Sequence, residues 1–517
     1  MLSTFGRFAG AILLLSWPAV APAQQVVFAS YVVPAANTVA TGIATGPDGA
    51  LWFTAWPGNA ILRITTSGVA TSYPVPTAKS QPQSITAGPD GALWFTEQAG
   101  NQIGRITTAG AITEFPIPTP NSQPNGITAG RDGALWFTEW NGNRIGRITT
   151  AGAIAEFPLP PGRNGPGVIV AGSDGALWFA RGVEIGRITT AGSTTQYTVA
   201  TPAGTITAWI NSLAIGPDSA LWFTSDNIDS LGIHTCDIGF ITTAGAITQY
   251  PVSGCAYAIT PGADGGMWFT NINSVGRITA AGVVTEYPLP NIFGDDPEGF
   301  GITVGPDGEL WFVNVPGQGY QQFSPDSIGE VLFVNANLSV SPDSGFYRTS
   351  HTFTGSGFAP NETVRIYARK PGSGVLATAT TDSTGAFTAS ARVPLAPYGP
   401  LLFLAASQGS EKLAAVNLNV TANVVLDPDS GPPGSSVTAA GYGFPASAQI
   451  QVYWGEPRTL LGTVTADVNG SFAGSAALTF TVPAGVSSGA NTVLGVWGCS
   501  GRPTTCSNAG VGSFTVE

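Results

Sequence analysis

Gly130-Arg-Asp-Gly-Ala-Leu-Trp-Phe-Thr-Glu139 is the stretch that decides the fold, because versions of it begin at Gly46, Gly88, Gly130, Gly172, Gly216, Gly262 and Gly305. Successive starts lie 42, 42, 42, 44, 46 and 43 residues apart. A period in the low forties with turn chemistry inside each unit fits four-stranded propeller blades, and helical periodicity is absent. In the third unit the expected strands are 126–130, 134–139, 144–149 and 153–158, separated by turns at Arg131-Asp-Gly133 and Thr150-Ala-Gly152. Glycine suits both turns because it tolerates positive φ, and the repeated Asp reads as turn chemistry. Leu135-Trp-Phe137 is apolar at every position, as expected of a strand that packs on neighbouring blades through both faces.

A ring of blades has to be closed. Residues 26–34 (VVFASYVVP) look like the last strand of a blade, and the seventh unit, whose third strand is expected at 327–332, lacks one of its own. The N-terminal strand is therefore expected to complete blade seven and leave no open edge. Further along, Pro342-Asp-Ser-Gly345 matches Pro428-Asp-Ser-Gly431, and Gly355-Ser-Gly-Phe358 matches Gly441-Tyr-Gly-Phe444, both 86 residues apart. These read as two homologous modules that resemble immunoglobulin-like β-sandwiches, with a spacer or adhesive-stalk role. The expected fold is all-β: residues 1–23 a signal peptide, 24–336 the seven-bladed propeller, 337–421 and 422–517 the two modules.

Composition agrees with this. Charged residues make up 10% of the chain against about 25% in ordinary soluble domains, while Gly (68) and Pro (40) are abundant. A net charge of −12 argues against nucleic acid as a partner. Arg7, an apolar run over 8–20 and Ala21-Pro-Ala23 form the three parts of a secretory signal, which implies a secreted, periplasmic or cell-surface protein. No later stretch is apolar enough to span a membrane, and a monomer is expected. In that compartment Cys236 with Cys255, and Cys499 with Cys506, are candidate disulfides.

The strand order puts both glycine turns of each blade on one face and the longer, more varied loops on the other, where binding groups are sought. Two rings of positions reach that mouth. One holds Thr41, Gln83, Asn125, Gly167, Asn211, Tyr257 and Phe300; the other holds Ala55, Glu97, Glu139, Arg181, Ser225, Asn271 and Asn314. Glu97, Glu139 and Arg181 suggest either a polar ligand site, with Trp140, Trp56 or Trp209 beside it, or a solvated ring of salt bridges. His234 and His351 fall outside both rings and are read as incidental to function.

The unit Gly130–Glu139, followed by Asn143-Arg-Ile-Gly-Arg-Ile-Thr-Thr150 and 154–160, closely resembles the streptogramin B (virginiamycin B) lyase family over roughly residues 26–334. The resemblance implies a seven-bladed propeller that linearises a cyclic depsipeptide by elimination, using Mg²⁺ with His and Glu at the mouth. Elimination needs a base for a proton α to a carbonyl and a group that stabilises the developing enolate. The family pattern Pro-His-Gly-Ile supplies the His; here the matching runs are Pro82-Gln-Ser-Ile85, Pro124-Asn-Gly-Ile127 and Ala256-Tyr-Ala-Ile259. With no histidine at those positions, the expectation is a binder of a peptide, glycan or envelope ligand at the loop face, without a cofactor; a divergent C–O lyase using Mg²⁺ is the alternative. If the leader is recognised, intact mass spectrometry of exported protein should find a chain that begins at Gln24.

Overall fold

The computed structural model describes residues 25–32, 39–56, 58–66, 68–162, 164–289, 297–316, 327–368, 374–410, 412–455, 459–497 and 508–517. The leader expected at 1–23 and the pair Cys499 and Cys506 lie outside them. No helix among the described residues is long and apolar enough to cross a membrane.

Seven four-stranded antiparallel sheets follow one another along the chain. Blade three consists of Pro124–Ala129, Leu135–Glu139, Arg144–Ile148 and Ile154–Pro158, within two residues of the strands expected from its turns. The seventh sheet runs in the order Gln25–Val32, Ser327–Val334, Leu310–Pro316, Pro297–Val304, so the first strand of the chain is the outermost strand of the last blade.

Each blade is organised around the tryptophan of its second strand. Trp136 is fully buried against Ile169, Leu177 and Phe179 of blade four, while Phe137 faces Trp94 and Ile103 of blade two. Burying one such indole removes about 200 Å² of surface from water, worth about 5 kcal/mol. The indole also needs an acceptor, and the repeated Asp provides it: Trp136 Nε1–H donates to Asp132 Oδ1 (3.1 Å), while Arg147 Nε donates to Asp132 Oδ2 (2.7 Å). The same triad recurs as Trp52–Asp48–Arg63, Trp94–Asp90–Arg105, Trp178–Asp174–Arg187 and Trp268–Asp264–Arg277. The Asp is thus a turn residue that also anchors the core. Burial pushes the Asp132 carboxyl up, but the hydrogen bonds from Arg147 and Trp136 outweigh it and hold the group below the ordinary carboxylate range.

On its other side the indole of every blade but the fifth stacks on the aromatic ring of its blade's outer strand, as in Trp52–Tyr73 (5.6 Å) and Trp136–Phe157 (5.4 Å). That ring in turn covers a glycine of the next blade: Tyr73 lies on Gly110 and Phe157 on Gly192. Closure repeats the contact. Tyr31 stacks on Trp311 at 5.2 Å, lies on Gly68 of blade one, and donates its hydroxyl to Glu330 Oε2 (2.6 Å). The N-terminal strand therefore supplies both the missing ladder and the missing ring.

Beyond the propeller stand two further β units. The first has sheets of three and five strands that share one core containing Phe353, Phe387, Val364, Ile366 and Phe403. The second is an eight-stranded sheet around Phe444, Ile450, Trp454, Phe472 and Phe514. Phe387 covers Gly355 and Phe472 covers Gly441, so the two sequence copies use the same packing. The first unit also meets the propeller, where Leu404 and Leu413 pack with Ala29 and Leu332 of blade seven.

The third strand contains a glycine, Gly146 in blade three, because the buried Phe137 ring occupies the space a Cβ would need. Gly146→Ala should lower stability by about 1–3 kcal/mol in urea unfolding; an unchanged midpoint would contradict this packing.

Candidate functional site

The loop face is built by asparagines that the sequence reading passed over. Asn59 turns between the second and third strands of blade one with φ of 50°, a conformation Asn tolerates. Its Nδ2 donates to Val75 O (3.1 Å) and Thr77 O (3.0 Å), and its Oδ1 accepts from Ser80 N (2.7 Å) and Ser80 Oγ (3.1 Å). Asn101 repeats the pattern with Ser122. Recurrence at 42 residues, through Asn59, Asn101 and Asn143, was the available signal.

Threonines join blades below these turns. Thr96 Oγ1 accepts from Ser84 N (3.1 Å) and donates to Asn125 O (2.6 Å) of the next blade; Thr54 donates likewise to Gln83 O (2.8 Å). Asn125 and Gln83 are thereby engaged through their backbone carbonyls.

Glu97 and Glu139 are fully buried, each in its own wedge between blades, and Arg181 fills a third wedge at 4% exposure. No ion pair joins these three among the described residues. Arg181 donates to Asn143 Oδ1 (2.8 Å), Pro160 O (2.9 Å) and Asn164 O (2.7 Å), the first of these replacing the serine of the neighbouring wedges. The solvated ring of salt bridges expected of Glu97, Glu139 and Arg181 does not occur, since all three side chains are buried. Burial, reinforced by the Glu114 carboxylate and opposed by the Ser80 hydroxyl, raises Glu97 to about 8. Burial and Glu156, opposed by Arg144 and Ser122, raise Glu139 to about 7.

Blade five departs from the others. Its strands Thr205–Ile215, Leu221–Asp229 and His234–Ile241 are 11, 9 and 8 residues long, where blade three uses strands of five or six, so the hairpin extends beyond the loop face. Cys236 is disulfide-bonded to Cys255 in the loop entering blade six, tying that hairpin to its neighbour. Between them opens a cavity of about 790 Å³ lined by Pro202, Asp226, His234, Asp237, Val252, Tyr257 and Ile272, together with both cysteines. His234 Nδ1–H donates to the buried Asp226 carboxylate, at 2.9 and 3.0 Å from its two oxygens. The ring is half exposed and its Nε2 makes no hydrogen bond among the described residues. This is the group the sequence reading set aside. Burial also raises the Asp237 carboxyl, against hydrogen bonds from Asn227 and Gln249.

Of the positions read from sequence, Tyr257, Cys236 and Cys255 line this cavity. Asn211 holds Ala256 O through Nδ2 (3.2 Å), and Asn271 packs beneath Gly254, so both support the rim. Gln83, Glu97, Asn125, Glu139, Trp140 and Arg181 belong to other blades; Trp140 is 40% exposed beside Gly167. The side chains of Phe300 and Asn314 lie outside the described ones. His351 is buried in the first C-terminal unit, with both ring nitrogens bonded, to Pro342 O (2.8 Å) and Thr349 Oγ1 (2.9 Å).

The sequence profile described as the Virginiamycin B lyase family matches residues 23–204 and 160–328. The chain belongs to the virginiamycin B lyase family. Among solved structures, a streptogramin B lyase is 34% identical with a TM-score of 0.52, covering 60% of this chain and 98% of its own. Virginiamycin B lyase from Staphylococcus aureus is 37% identical with a TM-score of 0.52, covering 60% and 100%. Its catalytically inactive His-to-Ala form with quinupristin gives the same figures. A comparison with curated proteins returned no match. The Mg²⁺ that the family implies would take oxygen donors. Among the described residues the one group of three potential ligands is Asp226, Cys236 and Cys255, so no cluster of three carboxylates offers itself to that ion.

The raised Glu97 carboxyl has a consequence for stability. Its pKa is about 8 folded against an ordinary 4.5, so the folded chain holds a proton that the unfolded chain releases. Stability is therefore greatest below 4.5 from this group and falls as pH rises to about 8. Urea midpoints for Glu97→Gln should fall less across that window than those of the wild type; parallel pH profiles would refute the assignment.

Proposed function

We propose that this propeller is an exported binder of an apolar peptide-type ligand, held in the cavity between the blade-five hairpin and the entry to blade six. The C-terminal units, read as immunoglobulin-like, serve as spacers. What carries the reading is the lining itself: Pro202, Val252, Tyr257 and Ile272 supply apolar surface, and Asp226, His234 and Asp237 supply a few polar groups. This is the composition of ligand sites in general. The rim extends it, because Trp209 (39% exposed), Ile206, Leu231 and Ile233 all stand open on the same blade. An apolar rim of this kind favours a peptide over a glycan.

A second reading, a divergent lyase, is favoured by the His234–Asp226 pair. A carboxylate on Nδ1 orients the imidazole and leaves Nε2 to act as base. In such an elimination Nε2 would take the proton from the carbon α to a carbonyl. The C–H electron pair becomes a C=C bond, the C–O bond breaks, and the carboxylate departs.

Isothermal titration with quinupristin as the probe should give saturable binding that His234→Ala and Tyr257→Ala each weaken by about tenfold or more, with Trp140→Ala unchanged. Equal affinity in all four proteins would move the site elsewhere. Mass spectrometry with fragmentation separates the readings: a lyase yields a linear unsaturated isomer that His234→Ala does not form, whereas recovery of intact ring leaves binding alone.

A further inference from the structure

Asp226 presents an unusual arrangement. It is 7% exposed, and Oδ1 lies 3.5 Å from Cys236 Sγ and 3.6 Å from Cys255 Sγ, while its hydrogen-bond donor is His234. A disulfide offers a carboxylate neither proton nor charge, so this side chain is aimed at two sulfurs that give it nothing while they are bonded to each other. The three ligand atoms lie within 4.8 Å of one another.

We propose that reduction of the Cys236–Cys255 disulfide creates a zinc-type metal site with Asp226, Cys236 and Cys255 as ligands and a fourth position open to the cavity. The geometry of the carboxylate already suits it. Tetrahedral Zn²⁺ has Zn–S bonds of about 2.3 Å and Zn–O bonds of about 2.1 Å, which set the O···S edge at about 3.6 Å. Both Asp226–sulfur separations match that edge. Only the sulfurs have to part, to an edge of about 3.8 Å, across a pair whose Cα atoms are 5.1 Å apart. Two thiolates and a carboxylate suit a borderline-soft ion and not Mg²⁺.

His234 has a positioning role here. Its Nδ1–H bond to Asp226 orients the ligand carboxylate, as hydrogen bonds to metal ligands commonly do. All four side chains line the cavity, so the open coordination position faces the space where a small molecule enters. Three protein ligands with one vacant position is the pattern of metal sites that bind water or substrate.

The chemistry balances with an external dithiol as reductant. Two electrons and two protons pass from the dithiol to the protein disulfide, giving two cysteine thiols and one oxidised dithiol. Metal binding then displaces both thiol protons, so affinity rises with pH. The site exists in the reduced protein alone, and it does not depend on the identity of the cavity's organic ligand.

The test uses the full chain with Cys499→Ser and Cys506→Ser, so that thiolate signal comes from one pair. After phosphine reduction and anaerobic desalting, titration with Co²⁺ should produce a thiolate-to-cobalt charge-transfer band that saturates at one ion per chain and is displaced by Zn²⁺. The unreduced protein and Cys236→Ser should give no band, and Asp226→Asn and His234→Ala should each weaken binding by about tenfold or more. Absence of the band in protein with two titratable thiols would overturn the proposal, as would a band indifferent to Asp226→Asn. Loss of native tryptophan fluorescence on reduction would overturn it equally, because the site needs the strands that hold it.

Discussion

The propeller depends on the placement of seven indoles. Each is fully buried at a blade junction and satisfied by the Asp of its own turn. An indole N–H in a core without an acceptor would cost roughly what a hydrogen bond gains, so the Asp is part of the core and its turn is fixed by it. Because this apparatus sits toward the glycine-turn face, the opposite loops are free to lengthen. Blade five uses that freedom: its hairpin carries Asp226, His234 and Cys236 beyond the ring without disturbing Trp222, which still donates to Asp218 at 3.2 Å. Where the Arg of the triad is missing in that blade, Phe240 packs on the indole at 5.1 Å instead.

Much of this architecture was legible in the sequence because its causes are local and periodic. Turn glycines, the apolar Leu-Trp-Phe runs and the repeat spacing fix the blades, and the resemblance of 26–34 to an outer strand fixes the closure. Tyr31 occupies the place of Tyr73 and Phe157, which is why the resemblance held. What sequence could not convey was how deeply a strand end is buried. Glu97, Glu139 and Arg181 share one position in the repeat, and repetition around a ring turns a shared position into separate wedges.

The cavity was hidden for a different reason. Its residues come from an irregular insertion, where the repeat spacing stretches to 46, and irregular segments offer no period to read. Asp226 and His234 are eight residues apart and meet only because the hairpin between them turns at Asp229, whose carboxylate accepts from Leu231 N (2.8 Å) and Ile233 N (3.0 Å). The contact of Leu404 and Leu413 with blade seven was equally invisible, since it joins two units whose repeats are independent.

The working site proposed for this virginiamycin B lyase family member is the cavity between blades five and six and not the carboxylates of blades two and three. Hydrogen–deuterium exchange of the full chain with and without quinupristin tests it most directly. Ligand held in that cavity should slow exchange only in the hairpin around 226–237 and the loop 251–257. Slowing centred on 97–101 and 139–143, with the blade-five hairpin unchanged, would contradict it.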